Sequence, residues 1–204
     1  MERAELYTTV HSAKHGVMTS QILVEKKKLN KAPLELHYLG DRVLRQPAKR
    51  VSKVDDEIRK LARQMLQTMY TEDGIGLAAP QVGVNKQILV VDHQPDEAAN
   101  PPLIMINPVI TGASQELCVV QEGCLSIPNV FLDVVRSKVI EVSFKDEHGK
   151  LHKMTADGLL ARVILHEIDH LNGVMFVDRV DNALAMNQEL SKHGFSATDV
   201  KPIR

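Results

Sequence analysis

Residues 157–173 read DGLLARVILHEIDHLNG, and their apolar side chains recur at the three- and four-residue spacing of a helix face. Gly173 stands where such a helix would end. We therefore predict a helix over 157–172 that packs this face against the rest of the fold. The apolar residues on the face are Leu159, Leu160, Val163, Ile164, Ile168 and Leu171.

The same helix carries the pentapeptide HEIDH, residues 166–170. Residues four apart lie about 40° from each other around a helix, so His166 and His170 can direct both imidazoles at one metal ion. Glu167 lies one position away, where its carboxylate can act as general base on a water at that ion. The alternative is a pair of surface histidines. Asp169 is interpreted as a helix-surface or supporting group and not as a ligand.

A catalytic metal site of this kind takes three protein ligands and leaves one position for water. The sequence offers three places for the third ligand. Some metalloproteases have histidine at the place of Phe176, which cannot bind a metal. Glu189 is a second candidate, although a solvated helix face also explains it. Cys124, beside Gly123 at the end of an apolar run, is the third, and its alternative is a buried structural cysteine.

A glycine-containing segment, GIGLAAPQ over residues 74–81, precedes these motifs. It lacks the third glycine of a dinucleotide fingerprint and the Gly-Lys-Ser/Thr of a phosphate loop. Its small residues instead suggest a backbone that lies close to another group. Gln81 would then present an uncharged amide that can donate to a developing oxyanion. The alternative is a turn with an exposed glutamine.

Periodicity also predicts the remaining elements. One helix is expected over about 55–71, with Ser52 and Asp55 as candidate caps and Asp73-Gly74 at its end, and a polar helix is expected over 182–193. Strands are expected over 87–92, 103–106, 117–121, 138–145 and 150–155, the last two joined by a turn at 147–149. This order predicts an α+β fold, a single domain with mainly antiparallel sheets packed around a central metal-binding helix.

The composition excludes several classes of protein. The chain has 204 residues with a net charge of −1 and 3% aromatic residues, so neither a field nor a stacking platform for nucleic acid is expected. No apolar run approaches the ~18 residues of a membrane-spanning helix. Cys118 is taken as a core residue, and two cysteines indicate a reducing, intracellular setting. Residues 1–33 are predicted to form a mobile arm, and residues 34–204 the catalytic domain.

Taken together, GIGLAAPQ (residues 74–81), EGCLS (residues 122–126) and HEIDH (residues 166–170) resemble the three signature segments of peptide deformylases, in family order and without substitution. The resemblance covers about residues 34–198. It is closest to the plant-organelle and cyanobacterial branch, judging by VFLDVVR at 130–136 and NALA at 182–185.

The resemblance implies a hydrolase that removes the formyl group from the N-terminal methionine of newly made polypeptides. Cys124, His166 and His170 would then bind one divalent metal. Members of the family typically use Fe²⁺, although Zn²⁺, Ni²⁺ or Co²⁺ can occupy the site. Glu167 would act as base and acid. The oxyanion stabilisers would be the amide of Gln81 and the backbone N–H of Leu125. The substrate-binding residues implied by the resemblance are Ile75, Gly76, Val120, Leu159 and Val163.

Further expectations follow from the same resemblance. The partners would be N-formyl-methionyl nascent polypeptides, with a transient ribosome contact and neither DNA nor membrane. The location would be the bacterial cytoplasm, or an organelle stroma or matrix if the arm is a transit segment. We also expect Glu122 to pair with Arg136 and brace the Cys124 loop. The rival functions are a zinc endopeptidase or aminopeptidase that uses Glu189, and a non-catalytic metal-binding module.

Overall fold

The computed structural model describes residues 24–97 and 100–203. These residues form three helices and seven strands. The helices are α1 (Asp56–Thr71), α2 (Gly158–Leu171) and α3 (Ala183–Lys192). The strands are β1 (Gly76–Ala78), β2 (Ile88–Val91), β3 (Leu103–Ala113), β4 (Leu117–Cys124), β5 (Ile127–Ser137), β6 (Val139–Lys145) and β7 (Leu151–Asp157). No helix within the described residues is long and apolar enough to cross a membrane.

Two antiparallel sheets enclose helix α2. Strands β1, β2, β3, β6 and β7 form one sheet in the order β1-β2-β3-β6-β7, and β4 pairs with β5 in a separate hairpin. Successive residues of a strand point to opposite faces. Accordingly, Ile88 and Val90 pack with α1, whereas Leu89 and Val91 pack with α2. The predicted α+β fold, with mainly antiparallel sheets around a central helix, is therefore confirmed.

Helix α1 begins and ends close to the predicted residues. Asp55 is the N-cap, and its Oδ1 accepts a hydrogen bond from the backbone N–H of Ile58 at 3.0 Å. The backbone then leaves the helix at Asp73, whose φ of 59° lies in the left-handed region. Helices α2 and α3 likewise match the predictions for 157–172 and 182–193.

Three strands differ most from the prediction. Strand β1 (Gly76–Ala78) lies in the GIGLAAPQ segment, where no strand was predicted. Strand β3 continues past Ile106 to Ala113, because register shifts against β6 accommodate Asn107 (φ 52°) and Pro108 within the strand. Strand β5 was not predicted as a strand. Its inward residues do alternate, but apolar Phe131 and Val135 are exposed on the other face and hide the period of two.

The prediction that Cys118 is a core residue is wrong. Cys118 is half-buried on β4, and its Sγ lies 3.2 Å from Nη2 of Arg162, a charged group that an apolar core would not contain. Both cysteines are free thiols.

The predicted mobile arm falls largely outside the described residues, which begin at residue 24. From there to residue 33 the chain contacts the domain. For example, Val24 packs against the cluster that contains α1. The division between arm and domain at residue 33 stays a prediction.

The cap of α1 gives a test of the fold. Replacing Asp55 by alanine removes the acceptor of the Ile58 N–H, so we expect Asp55→Ala to lower the free energy of unfolding by about 1 kcal/mol. Ser52→Ala is the matched control, because Ser52 was the other candidate cap and the structure assigns the role to Asp55. Urea denaturation measures both. Equal losses in the two variants would contradict the assignment.

Candidate metal centre

Three side chains from two elements converge on one point. Cys124 ends β4, and His166 and His170 lie one turn apart on α2. One ligand atom from each residue lies within 4.8 Å of the other two. The Sγ of Cys124 is 3.2 Å from Nε2 of His170. Both histidines are buried, and Cys124 is half-buried.

The turn of the β4–β5 hairpin aims Cys124 at α2. Pairing between the strands shifts after Glu122, so that Cys124 pairs with Ile127 across a bulge. Bulges of this kind re-aim a side chain at the end of a strand. Gly123 leaves room for the Phe131 ring beside this turn, because an added Cβ would lie 2.5 Å from that ring.

A buried carboxylate orients the first histidine. Glu122 accepts hydrogen bonds from Nε of Arg136 at 2.7 Å and from Nη1 of Arg162 at 2.7 Å, and its Oε2 lies 2.9 Å from Nδ1 of His166. This contact leaves Nε2 of His166 for the shared point. Burial raises the pKa of Glu122, but the hydrogen bonds from Arg136 and His166 outweigh it and hold the pKa well below its usual range. The expected pairing of Glu122 with Arg136 is confirmed.

Two further residues support α2. Asp169 is buried and accepts hydrogen bonds from Nη1 of Arg136 and Nε of Arg179, each at 2.6 Å. It therefore anchors the helix, as the prediction of a supporting group requires. Phe176 stacks on His166, with ring centroids 5.9 Å apart. The residue that cannot ligate a metal thus packs against one of the candidate ligands.

Glu167 lies at the back of the cavity described below. It is buried, and within the described residues its Oε2 has no hydrogen-bond partner. Burial raises its pKa to about 7. Gly76 makes room for it, since a Cβ added there would collide with the Glu167 carboxylate and lie 2.7 Å from Val163.

Gln81 is held in one orientation. It is 1% exposed, and its Oε1 accepts a hydrogen bond from the backbone N–H of Ala78 at 2.8 Å. Its Nε2 therefore faces the opposite way, 3.2 Å from Oγ of Ser126 and 3.5 Å from Sγ of Cys124. The amide is thus a fixed donor beside the three candidate ligands, and not an exposed turn residue.

A cavity of about 570 Å³ opens in front of these groups. Most of the predicted substrate-binding and oxyanion residues line it: Ile75, Gly76, Gln81, Leu125, Leu159 and Val163. Val120 does not line it: its side chain is exposed on β4, and only its carbonyl oxygen faces the guanidinium of Arg162, 3.5 Å away. The carboxylate of Glu189 lies on α3, does not line the cavity and lies 3.2 Å from Nε2 of His193.

Arg162 is the site residue that sequence reasoning did not assign. It is buried, and it also donates to the carbonyl oxygens of Val134 at 3.0 Å and Cys118 at 2.9 Å. It therefore ties α2 to both strands of the hairpin. The available signal was a charged residue within the apolar face of the 157–172 helix.

The donor set fits a divalent metal. A thiolate with two imidazoles suits iron or zinc, and three protein ligands leave a position for water. The unpartnered carboxylate oxygen of Glu167 fits the same interpretation, because buried carboxylates otherwise have hydrogen-bond partners.

Comparisons with known proteins agree on one family. A family model described as Polypeptide deformylase matches residues 33–185. A peptide deformylase from Synechocystis sp. is 67% identical over 186 residues, which is 91% of this chain and 100% of the relative. The crystal structure of a peptide deformylase from Synechococcus elongatus in complex with actinonin has a TM-score of 0.87 and 62% identity, covering 88% of this chain and 98% of that one. A Met-Ala-Ser-bound peptide deformylase from Acinetobacter baumannii has a TM-score of 0.67 and 34% identity, covering 72% and 98%.

The two cysteines give a test of the metal centre. We expect Cys124→Ser to bind far less metal than the parent, which should hold about one ion per chain, because a hydroxyl is a much poorer ligand than a thiolate. Cys118→Ser is the matched control and should keep the parent's metal content. Elemental analysis of the purified proteins measures both. Equal metal contents in the two variants would exclude Cys124 as a ligand.

Proposed function

The chain belongs to the polypeptide deformylase family, and from this premise we propose which of its residues carry out the reaction. The family's reaction is the metal-dependent hydrolysis that removes the N-formyl group from new polypeptides. The high identity to cyanobacterial relatives also confirms the resemblance to the cyanobacterial branch that was drawn from the sequence. The observation that carries the proposal is the convergence of Cys124, His166 and His170 beside the unpartnered carboxylate of Glu167.

We propose that Cys124, His166 and His170 hold one Fe²⁺ ion, with Zn²⁺, Ni²⁺ or Co²⁺ able to take its place. The mixed sulfur and nitrogen donors support this assignment. When bound, such an ion would polarise the formyl carbonyl and lower the pKa of a water molecule. Glu122 supports the set by holding the ring of His166 through Nδ1.

Glu167 is proposed to move the proton. Its free oxygen can accept a proton from the attacking water and then deliver it to the amine nitrogen that leaves. The new C–O bond forms first and gives a tetrahedral adduct; the C–N bond of the formamide then breaks as Glu167 delivers the proton to the leaving nitrogen. The products are formate and a free N-terminal methionine, so one water is consumed for each formyl group removed.

Two donors are proposed to stabilise the negative oxygen that develops on the formyl carbon. One is Nε2 of Gln81, whose direction the Ala78 N–H fixes. The other is the backbone N–H of Leu125, next to Cys124 at the tip of the hairpin. Donors that are already in place need no reorganisation during the reaction, and each contributes roughly 10²–10³ in rate.

The cavity is proposed to accept the methionine side chain between Ile75, Leu159 and Val163. An unbranched thioether suits an apolar pocket of this kind. The peptide would run beside β1 in extended form and use the backbone of Gly76 for pairing. The Acinetobacter relative bound to Met-Ala-Ser supports this choice of ligand.

The setting of the reaction is proposed from the substrate. Because the proposed substrates are nascent polypeptides, we propose that the protein works where they are made. This is the bacterial cytoplasm, or an organelle stroma or matrix if residues 1–33 are a transit segment. A transient ribosome contact follows from the same argument. The expected absence of DNA and membrane partners stays a prediction.

Formate release tests the assignment. We expect the protein, purified anaerobically with iron, to release formate from formyl-Met-Ala-Ser. Glu167→Gln keeps the shape of the side chain but not its basicity, so its rate should fall by about 10²–10⁴. Glu189→Ala is the control and should match the parent. If the iron-loaded parent releases no formate, the assignment is wrong. Hydrolysis of unformylated peptides that is lost in Glu189→Ala would instead favour the rival zinc endopeptidase or aminopeptidase.

Gly76 gives an independent test of the position of Glu167. A methyl group there would collide with the carboxylate, so we expect Gly76→Ala to lower kcat/KM by at least about 10² through displacement of Glu167. Gly112→Ala is the matched control, because the added Cβ on β3 meets only the end of the Glu141 side chain at 3.1 Å. Formate assays of both variants check this. Wild-type activity in Gly76→Ala would mean that Glu167 does not need its present position.

A further inference from the structure

Residues 24–34 lie along the C-terminal half of α1. The side-chain amide of Gln67 donates to the carbonyl oxygen of Lys27 at 2.7 Å. The backbone N–H of Leu34 donates to the hydroxyl of Thr68 at 3.1 Å. These bonds fix the path of the segment toward the end of the helix, where the loop of residues 73–76 begins.

The ammonium group of Lys26 is fully satisfied by oxygen. Its Nζ lies 2.8 Å from the carboxylate of Asp92, and it donates to the carbonyl oxygens of Asn100 at 2.7 Å and Glu97 at 3.0 Å. An ammonium has three donors, so these three oxygens use all of them. The Lys26 side chain is 16% exposed and that of Asp92 is 2% exposed, so this is a largely buried ion pair.

Asp92 connects Lys26 to the wall of the cavity. Its carboxylate also accepts a hydrogen bond from the hydroxyl of Tyr70 on α1 at 2.8 Å. Its backbone N–H donates to the carbonyl oxygen of Ile75 at 2.9 Å. Ile75 and Gly76 both line the cavity. Asp92 therefore joins the N-terminal segment and the end of α1 through its carboxylate, and the loop that forms one wall of the site through its backbone N–H.

A second contact reaches the other end of the same loop. The ammonium of Lys28 pairs with the carboxylate of Asp73, which lines the cavity where the chain leaves α1. This pair is exposed and so contributes little by itself. Together, Lys28 and Lys26 connect residues 24–34 to both ends of the 73–76 loop, Lys28 directly at Asp73 and Lys26 through Asp92 at Ile75.

We propose that residues 24–34 form a strap that positions the 73–76 loop for peptide binding, and that Lys26 is its main positioning residue. The proposal rests on the proposed function, because it takes the cavity to bind a formylated peptide. Loss of the Lys26 ammonium would leave the Asp92 carboxylate buried without its cation, which is strongly unfavourable. The end of β2 must then shift or admit water, and Ile75 shifts with it.

The expected defect is in substrate binding and not in the metal centre. The candidate ligands lie on β4 and α2, and the strap contacts α1, Asp92 and Asp73. For Lys26→Met we therefore expect KM for formyl-Met-Ala-Ser to rise about tenfold, while kcat changes less than about twofold and metal content stays unchanged. Lys26→Arg should restore most of the loss, because it keeps the charge.

Lys27→Met is the matched control, since that ammonium pairs with the exposed Glu25 and should leave KM unchanged. A direct structural readout is hydrogen exchange of the 73–77 amides, which should be faster in Lys26→Met and unaltered in Lys27→Met. If Lys26 acts through Asp92, the double variant Lys26→Met/Asp92→Asn should show no larger rise in KM than Asp92→Asn alone.

An unchanged KM and unchanged exchange in Lys26→Met would overturn the proposal. A lower melting temperature with parental KM would also overturn it, because the role would then be merely structural. If Lys26→Met does not fold, the isosteric Asp92→Asn carries the test: it removes the negative charge that pairs with Lys26, so a severalfold rise in KM is expected and an unchanged KM would overturn the strap. A parent without deformylase activity would refute the proposed function, whereas the exchange measurement would still decide on the strap.

Discussion

The site depends on the buried carboxylate of Glu122. Glu122 lies on β4 and joins this strand to two other elements. Arg136 donates to it from β5, and Arg162 and His166 contact it from α2. Two guanidinium groups and an imidazole compensate the cost of burying one negative charge. Without it, two arginines would be buried beside the hairpin with less negative charge to balance them. The separation between the cysteine on the hairpin and the histidines on the helix is therefore set by electrostatics as well as by packing.

Packing sets the remaining coordinates of the site. Helix α2 is covered by the five-stranded sheet through Leu89 and Val91, so its polar face can turn only toward the hairpin. The absence of a side chain at two glycines also determines where neighbouring groups lie. At Gly76 the space that a methyl group would fill holds the Glu167 carboxylate, and at Gly123 it holds the edge of the Phe131 ring. The positions of Glu167, the proposed base, and of the Phe131 ring beside the cysteine loop thus each depend on a glycine, because an added methyl group would force either group to move.

The sequence predicted the elements in which one physical rule dominates. Helical geometry predicted that His166 and His170 share one face of α2, and α1 follows from its apolar period and its cap. The proposed third ligand could not be chosen from the residues, because a cysteine and a glutamate were both compatible with them, and only the resemblance favoured Cys124. Strand β5 was missed because it is apolar on both faces. Arg162 could not be assigned, since its role requires knowing that strands β4 and β5 lie against its helix.

The order of the chain has a consequence for how the protein is made. Of the proposed site residues, Gln81 is synthesised first, then Cys124, and last the helix that carries both histidines and Glu167, the proposed base. A fragment that stops before α2 therefore contains a sulfur donor and an amide but no competent centre. It also has the hairpin but no guanidinium from Arg162 to hold it, so the proposed centre can form only after α2 has been made and packed. Synthesis from the amino end thus makes completion of the fold a condition for the first turnover.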